Sequence, residues 1–224
     1  GSATIDAFVE SEAADIVSVS TKKTSTEFMA FPYGAKVEID SFRTAVGGGG
    51  LNAAANLANL GFNTSAIFKI GEDFQGKTIK HKVKLAHVDT SNIIESKTET
   101  SGFSIILLSF EGNRTVLAHR GTNGTIKENE INYEAIKNSK WLYIAPLNGN
   151  SGAVLDKIAH FAEENNTNVI INPGSSSLKK GLKYFEKILA TAEVVVMNKE
   201  EASLVTKIDV RPDTKTECYS AEVI

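Results

Sequence analysis

Four consecutive glycines, Gly47 to Gly50, stand between Val46 and Leu51-Asn52 and lead straight into an Ala- and Leu-rich stretch. Such a run costs backbone entropy, so it implies a close approach to the main chain or unusual dihedral angles. If the stretch after it is a helix, the first N–H groups have no partners inside the helix and are expected to face a ligand. A Walker A loop is excluded, because no Lys-Ser/Thr pair follows the glycines. A dinucleotide fingerprint is met in spacing by Gly48, Gly50 and Ala53, with Glu72 where a ribose-binding carboxylate belongs. That spacing defines one reading, an NAD-dependent oxidoreductase. Against it, Ile39 to Val46 does not look like the buried parallel strand that the fingerprint requires. A flexible glycine loop with no ligand is a further reading.

Other polar residues stand where chemistry is expected. Asn172-Pro-Gly174 closes the apolar run Val169–Ile171, so Asn172 is placed at the end of a parallel strand, where ligands of α/β proteins gather. His81, His87, His119 and His160 show no metal-ligand spacing and are expected to be structural or solvated. Asp73 is expected to cap a helix.

The elements that must position these residues are read from periodicity. Trp141–Ala145, Val169–Ile171 and Val194–Met197 are short apolar runs about 25 residues apart. Between them lie helices over Ser151–Glu164, with Ser151 as N-cap, and over about Leu178–Ala190; Lys199–Val205 follows as a third. This alternation predicts βαβ units and a covered parallel sheet. Upstream, helices are predicted at Gly50–Leu60 and Gln75–Ala86, with a strand at Ser65–Ile70 and an extended stretch at Val88–Ile94. Strand texture also marks 4–10, 35–39, 103–110 and 115–119, the last two joined by a turn at Glu111-Gly-Asn113. These pieces predict a small β-sheet lid projecting from the α/β layer.

Composition bounds the rest. The 224 residues are 42% hydrophobic and 23% charged, with a net charge of −3, which fits one large globular domain. The spread of Lys and Arg gives no electrostatic reason to expect nucleic acid. No apolar run approaches the roughly 18 residues of a membrane span. The single Cys218 fits a reducing compartment, so a cytoplasmic location is expected.

Taken in order, several motifs resemble those of the ribokinase-like (PfkB) carbohydrate kinases. The glycine run with Asn52 and Ala54, followed by Gly61 and Gly71, has the spacing of that family's first signature. Gly1–Asp6 resembles the end of its first strand, and Gly71-Glu-Asp-Phe-Gln-Gly76 its G-x-D-x-x-G turn. Ser101–Arg114 and Gly121-Thr-Asn123 are similar to its lid hairpin and returning segment, and Asn198-Lys-Glu-Glu201 to its N-x-x-E motif. The resemblance covers about residues 1–206.

It implies a three-layer α/β fold with a mostly parallel central sheet and a β lid. The implied activity is transfer of the γ-phosphoryl group of ATP to a primary hydroxyl of a sugar or nucleoside, with Mg2+. Asp6, Gly48, Gly49 and Asn52 are implied to hold the sugar, and Arg114 to reach it from the lid. Asn172 and Asn198 are implied to lie near phosphate or nucleotide, and Glu201 near the metal. A homodimer through the lid is also implied. One departure is clear: the family's second signature, with its glycines and catalytic aspartate, has no counterpart after Glu201. Segment 207–224 is polar until Val223-Ile224, so the chain is expected to lack the nucleotide-binding part and the base. A noncatalytic sugar-binding relative is the alternative.

Overall fold

The structure, a computed structural model, describes residues 1–110, 112–174, 178 and 182–208. The parallel layer forms where the apolar runs predict it. Strands β9 (Trp141–Ile144), β10 (Asn168–Ile171) and β11 (Val194–Val195) pair in parallel, in the order β11-β10-β9. Helix α4 (Leu155–Glu164) crosses from β9 towards β10, and α5 (Leu182–Thr191) precedes β11. Leu155, Ala159 and Ala162 recur at helical spacing and are buried against Ile144, Val169, Ile171 and Ile188. Helix α6 (Lys199–Thr206) follows β11.

A second apolar cluster joins the first half of the chain. Helix α1 (Gly49–Asn59) contributes Leu51 and Ala54, and α2 (Phe74–Leu85) contributes Ile79 and Val83. They pack with Ile5, Phe68 and Ile70 around the short parallel pair β5 (Lys69–Gly71) and β6 (Ile94–Ser96). A five-residue helix α3 (Tyr133–Lys137) completes the described helices. Among the described residues, no helix is long and apolar enough to cross a membrane.

The lid is a four-stranded sheet in the order β4-β1-β7-β8, formed by β4 (Ser41–Gly47), β1 (Thr4–Glu10), β7 (Gly102–Leu108) and β8 (Arg114–His119). Strand β1 pairs antiparallel with β4 and parallel with β7. The β7–β8 hairpin forms as expected, and Gly112 takes a φ of 84°, which glycine adopts freely; Glu111 lies outside the described residues.

Four expectations need correction. Residues 35–39 are not a strand. Their alternating apolar residues Val37 and Ile39 instead line a cavity of about 250 Å³ with Val9, Met29 and Leu107. The strands there are the hairpin β2 (Asp15–Ser20) and β3 (Ser25–Ala30), then β4. Ser151 is not the N-cap of α4: it is fully buried in a 3-10 turn, accepting from the Ile126 N–H at 2.9 Å and donating to the Asn123 carbonyl at 3.0 Å. The strand expected over Ser65–Ile70 shortens to β5, with only a bridge between Ser65 and Asp89 before it. In 88–94, only Ile94 belongs to a strand, β6. The features read in 209–224 lie outside the described residues, as do 179–181 of the expected helix.

Candidate active site

The glycine run is a surface shaped to receive the first residues of the chain. A Cβ at Gly50 would lie 2.8 Å from the Gly1 Cα and 2.9 Å from the Ser2 nitrogen. Gly48 has a φ of 100°, and a Cβ there would fall 2.6 Å from the Ser2 carbonyl oxygen. Both separations are below contact distance, so only glycine fits. Ser2 then satisfies the start of α1. The Gly49 N–H donates to Ser2 Oγ, and the Gly50 and Leu51 N–H groups donate to the Ser2 carbonyl, all at 3.1 Å. The expectation that these helix donors face a ligand is therefore corrected, because Ser2 occupies them.

The site nevertheless assembles around this junction. Asp6, on β1, lies over Gly47: a Cβ at Gly47 would meet Asp6 Oδ2 at 2.0 Å. Its other carboxylate oxygen accepts from Thr4 Oγ1 at 3.1 Å. Asn52 is exposed in the second turn of α1, and its side chain makes no hydrogen bond to the described residues. The helix begins at Gly48 with no side-chain cap, so capping does not account for Asn52. Asn123 locks the region from below. Its Oδ1 accepts from the Ala3 N–H at 2.9 Å, and its Nδ2 donates to the Ala3 carbonyl at 2.8 Å.

The second set of residues gathers at the C-terminal ends of the parallel strands. Asn172 follows β10 and stitches it to both neighbours, donating its N–H to Ile144 at 2.9 Å and its Nδ2 to the Val196 carbonyl at 2.6 Å. Asn198 caps α6 and shares a reciprocal capping box with Glu201, at 2.8 and 3.1 Å. Glu201 is 6% exposed, so part of its role is to close this helix start. Pro146, just after β9, connects the two sets. A Cβ on Gly49 would lie 3.3 Å from Pro146 Cδ, and one on Gly174 would lie 2.7 Å from Pro146 Cβ. The glycine run thus sits at the same sheet edge as Asn172.

The lid contributes by register, since residues opposite one another share a face. Asp6 aligns with Ala45 and Ser104, and Ser104 with Ala118. Two residues along the same face, Arg43 stacks on Phe8, its guanidinium carbon 4.3 Å from the ring centroid, a contact with no distinctive sequence signal. Arg114 aligns with Leu108 and Glu10, four residues from Asp6 along β1, or about 13 Å at strand rise. It is placed at the outer end of the lid rather than over Asp6.

Asp73 caps α2 as expected, accepting from the Gly76 N–H and from both the N–H and Oγ of Ser101, each at 2.7 Å. Burial pushes its carboxyl up, but these donors outweigh burial and hold it below the usual carboxylate range. The dinucleotide reading loses its support, because the glycines follow β4, an exposed antiparallel edge strand. Among the described residues, no three His, Cys, Asp or Glu side chains are grouped to hold a metal ion.

Residues 13–221 match the pfkB family carbohydrate kinases. The chain is 30% identical over 180 residues to a ribokinase from Staphylococcus aureus, covering 79% of this chain and 57% of that protein. Its fold superposes on the ribokinase of Arabidopsis thaliana complexed with ribose and ATP with a TM-score of 0.72 at 21% identity, over 92% of this chain and 61% of that one. The nucleoside kinase of Burkholderia thailandensis in complex with inosine gives a TM-score of 0.70 at 15% identity, over 92% and 61%. The chain therefore spans about six tenths of the length of these proteins. With a ribokinase-like α/β fold and the family match running through nearly all of its length, the chain belongs to the pfkB family of carbohydrate kinases.

Proposed function

We propose that the protein is part of an ATP-dependent kinase that phosphorylates a primary hydroxyl of a sugar or nucleoside. The observation that carries this reading is the meeting, through Pro146, of the glycine run beside Asp6 with the segment after β10 that bears Asn172. The substrates in the names of its relatives, ribose and inosine, support the acceptor class.

In this reading Asp6 accepts hydrogen bonds from acceptor hydroxyls, while Asn52 both donates and accepts. Gly48 and Gly49 border the acceptor indirectly, by letting Ser2, Ala3 and Pro146 pack against the start of α1. Arg114 closes over it only if the lid bends inward. In the transfer, the acceptor oxygen forms a bond to the γ-phosphorus as the bond to the β-phosphate oxygen breaks. Asn172 and Asn198 orient the phosphates at the sheet edge. Glu201, a buried carboxylate at the start of α6, would face an Mg2+ ion that keeps most of its own waters. Such an ion supplies neutralisation of phosphate charge. Residues 1–206 serve as one α/β domain with its lid, and the setting is cytoplasmic.

The test is a coupled ADP-release assay, with ribose, fructose, ketogluconate, adenosine and inosine, on the whole kinase of which this chain is proposed to be part. Turnover with at least one acceptor is expected. Thermal stabilisation by a sugar without ADP release would instead identify a noncatalytic sugar-binding protein, and neither response would overturn the site.

A further inference from the structure

Lys69 is the least expected residue of the core. It lies on β5 between Phe68 and Ile70, each 1% exposed, and is itself 3% exposed. A lone buried ammonium is costly, and only good geometry with saturated partners makes it tolerable. Here the three donors of the ammonium find three acceptors: Glu99 Oε2 and Glu130 Oε1, both at 2.9 Å, and the Thr125 carbonyl at 3.3 Å. Each carboxylate accepts a further bond. Glu99 Oε2 also accepts from Thr125 Oγ1 at 3.0 Å, and Glu130 Oε2 from the Lys127 N–H at 2.8 Å. Burial pulls the Lys69 ammonium down, but its bonds to Glu99 and Glu130 raise it on balance, so it stays charged.

The positions of these partners along the chain give the cluster its meaning. Glu99 lies three residues before β7, where the lid hairpin leaves the core. Thr125 and Glu130 lie after β8, where the hairpin returns. The Lys69 carbonyl also accepts from the buried Thr122 Oγ1 at 2.7 Å, on that returning segment. One residue of the core thus grips both roots of the hairpin, by its side chain and by its backbone.

We propose that Lys69 is a clasp that sets the position of the β7–β8 hairpin over the acceptor site, acting as a positioning residue through Glu99 and Glu130. Two carboxylates on separate roots are drawn to a single charge, which fixes the spacing between the roots and hence the pitch of the strands they carry. An apolar residue at position 69 would pack in the core but would leave the two roots to repel each other. The consequence for acceptor binding rests on the site reading given above; the mechanical role does not.

Hydrogen exchange followed by mass spectrometry tests the clasp without any ligand. The variants are Lys69→Met and the charge-free Lys69→Met/Glu99→Gln/Glu130→Gln, which removes buried charge and so folds even if the single variant does not. Amides of 102–119 are expected to exchange at least about tenfold faster in either variant, with those of 141–144 and 168–171 unchanged. Equal acceleration in lid and core, or no acceleration in the lid, would overturn the clasp. D-ribose and the other acceptors added to the unaltered protein separate the two proposals: a lid that gains no protection from any of them counts against the acceptor site, while the ligand-free comparison still decides the clasp.

Discussion

Asn52 and Glu201 are the residues on which the functional reading turns, and the structure separates them. Asn52 has an exposed side chain with no hydrogen-bond partner among the described residues, so its removal costs the fold little. Asn52→Ala is expected to weaken acceptor binding by about 1–3 kcal/mol, the usual cost of an unmade polar contact, with an unchanged melting temperature. Calorimetry with the active acceptor checks this, and equal affinity would remove Asn52 from the site. Glu201 carries two roles that substitution divides. Glutamine preserves the capping box with Asn198, so Glu201→Gln is expected to keep stability while losing Mg2+-dependent turnover. Glu201→Ala should lose both, with about 0.5–2 kcal/mol of stability gone by denaturant titration. A fully active Glu201→Gln protein would leave the residue with its capping role alone.

At the scale of elements, Asp73 is a second tie at the root of β7, beside Glu99. Asp73 holds the start of α2 and the Ser101 backbone together. Its carboxyl is depressed in the folded protein, so the unfolded chain binds the proton more readily in acid. The stability it contributes is complete above the ordinary carboxylate range, near pH 4, and is lost as pH falls through its lower folded value. Asp73→Asn should therefore show a flatter stability profile than the parent below about pH 4, measured by urea melts at several pH values. Parallel profiles would refute this role. The cap itself was legible, since Asp before a helical stretch with Gly at the third position is a local signal. So were α4 and β10, because Leu155, Ala159 and Ala162 keep one period and Val169–Ile171 forms an unbroken apolar run. Strands β2 and β3 escaped because both faces are largely exposed and impose no strict alternation. Ser151 misled for a different reason: serine before a helix has the composition of a cap, and only tertiary contact shows that it is buried against Asn123 and Ile126. Lys69 was similarly opaque, since a lysine in a short strand declares nothing about two glutamates 30 and 61 positions away.

For the whole molecule, the lid has two unlike faces. Asp6, Arg43 and Ser104 share one; Phe42, Thr44 and Leu117 fall on the other by register. Phe42 and Leu117, on the two edge strands of that face, are 62% and 54% exposed, while Val9 and Leu107 between them line a cavity with Met29, Val37 and Ile39 of the same chain. A second copy of the chain docking on the edge strand β4 would bury Phe42 and leave the Asp6 face open. Sedimentation velocity is expected to show a dimer at micromolar concentration, and Phe42→Asp a monomer with unchanged thermal stability. A monomer at all concentrations would exclude the lid as the interface.

The central position of β1 in the lid sheet carries a consequence in time. Its two partners are β4, some 40 residues later, and β7, nearly 100 residues later, whereas β9, α4 and β10 meet within about 30 residues of chain. Closing long loops before any pairing rewards them is slow, so local contacts form first. The parallel layer around Ile144, Val169 and Ile171 is then the early part of the folding route. The proposed acceptor side, which needs residues 1–6, 47–52 and 102–123 all together, is expected to be the last region to become itself.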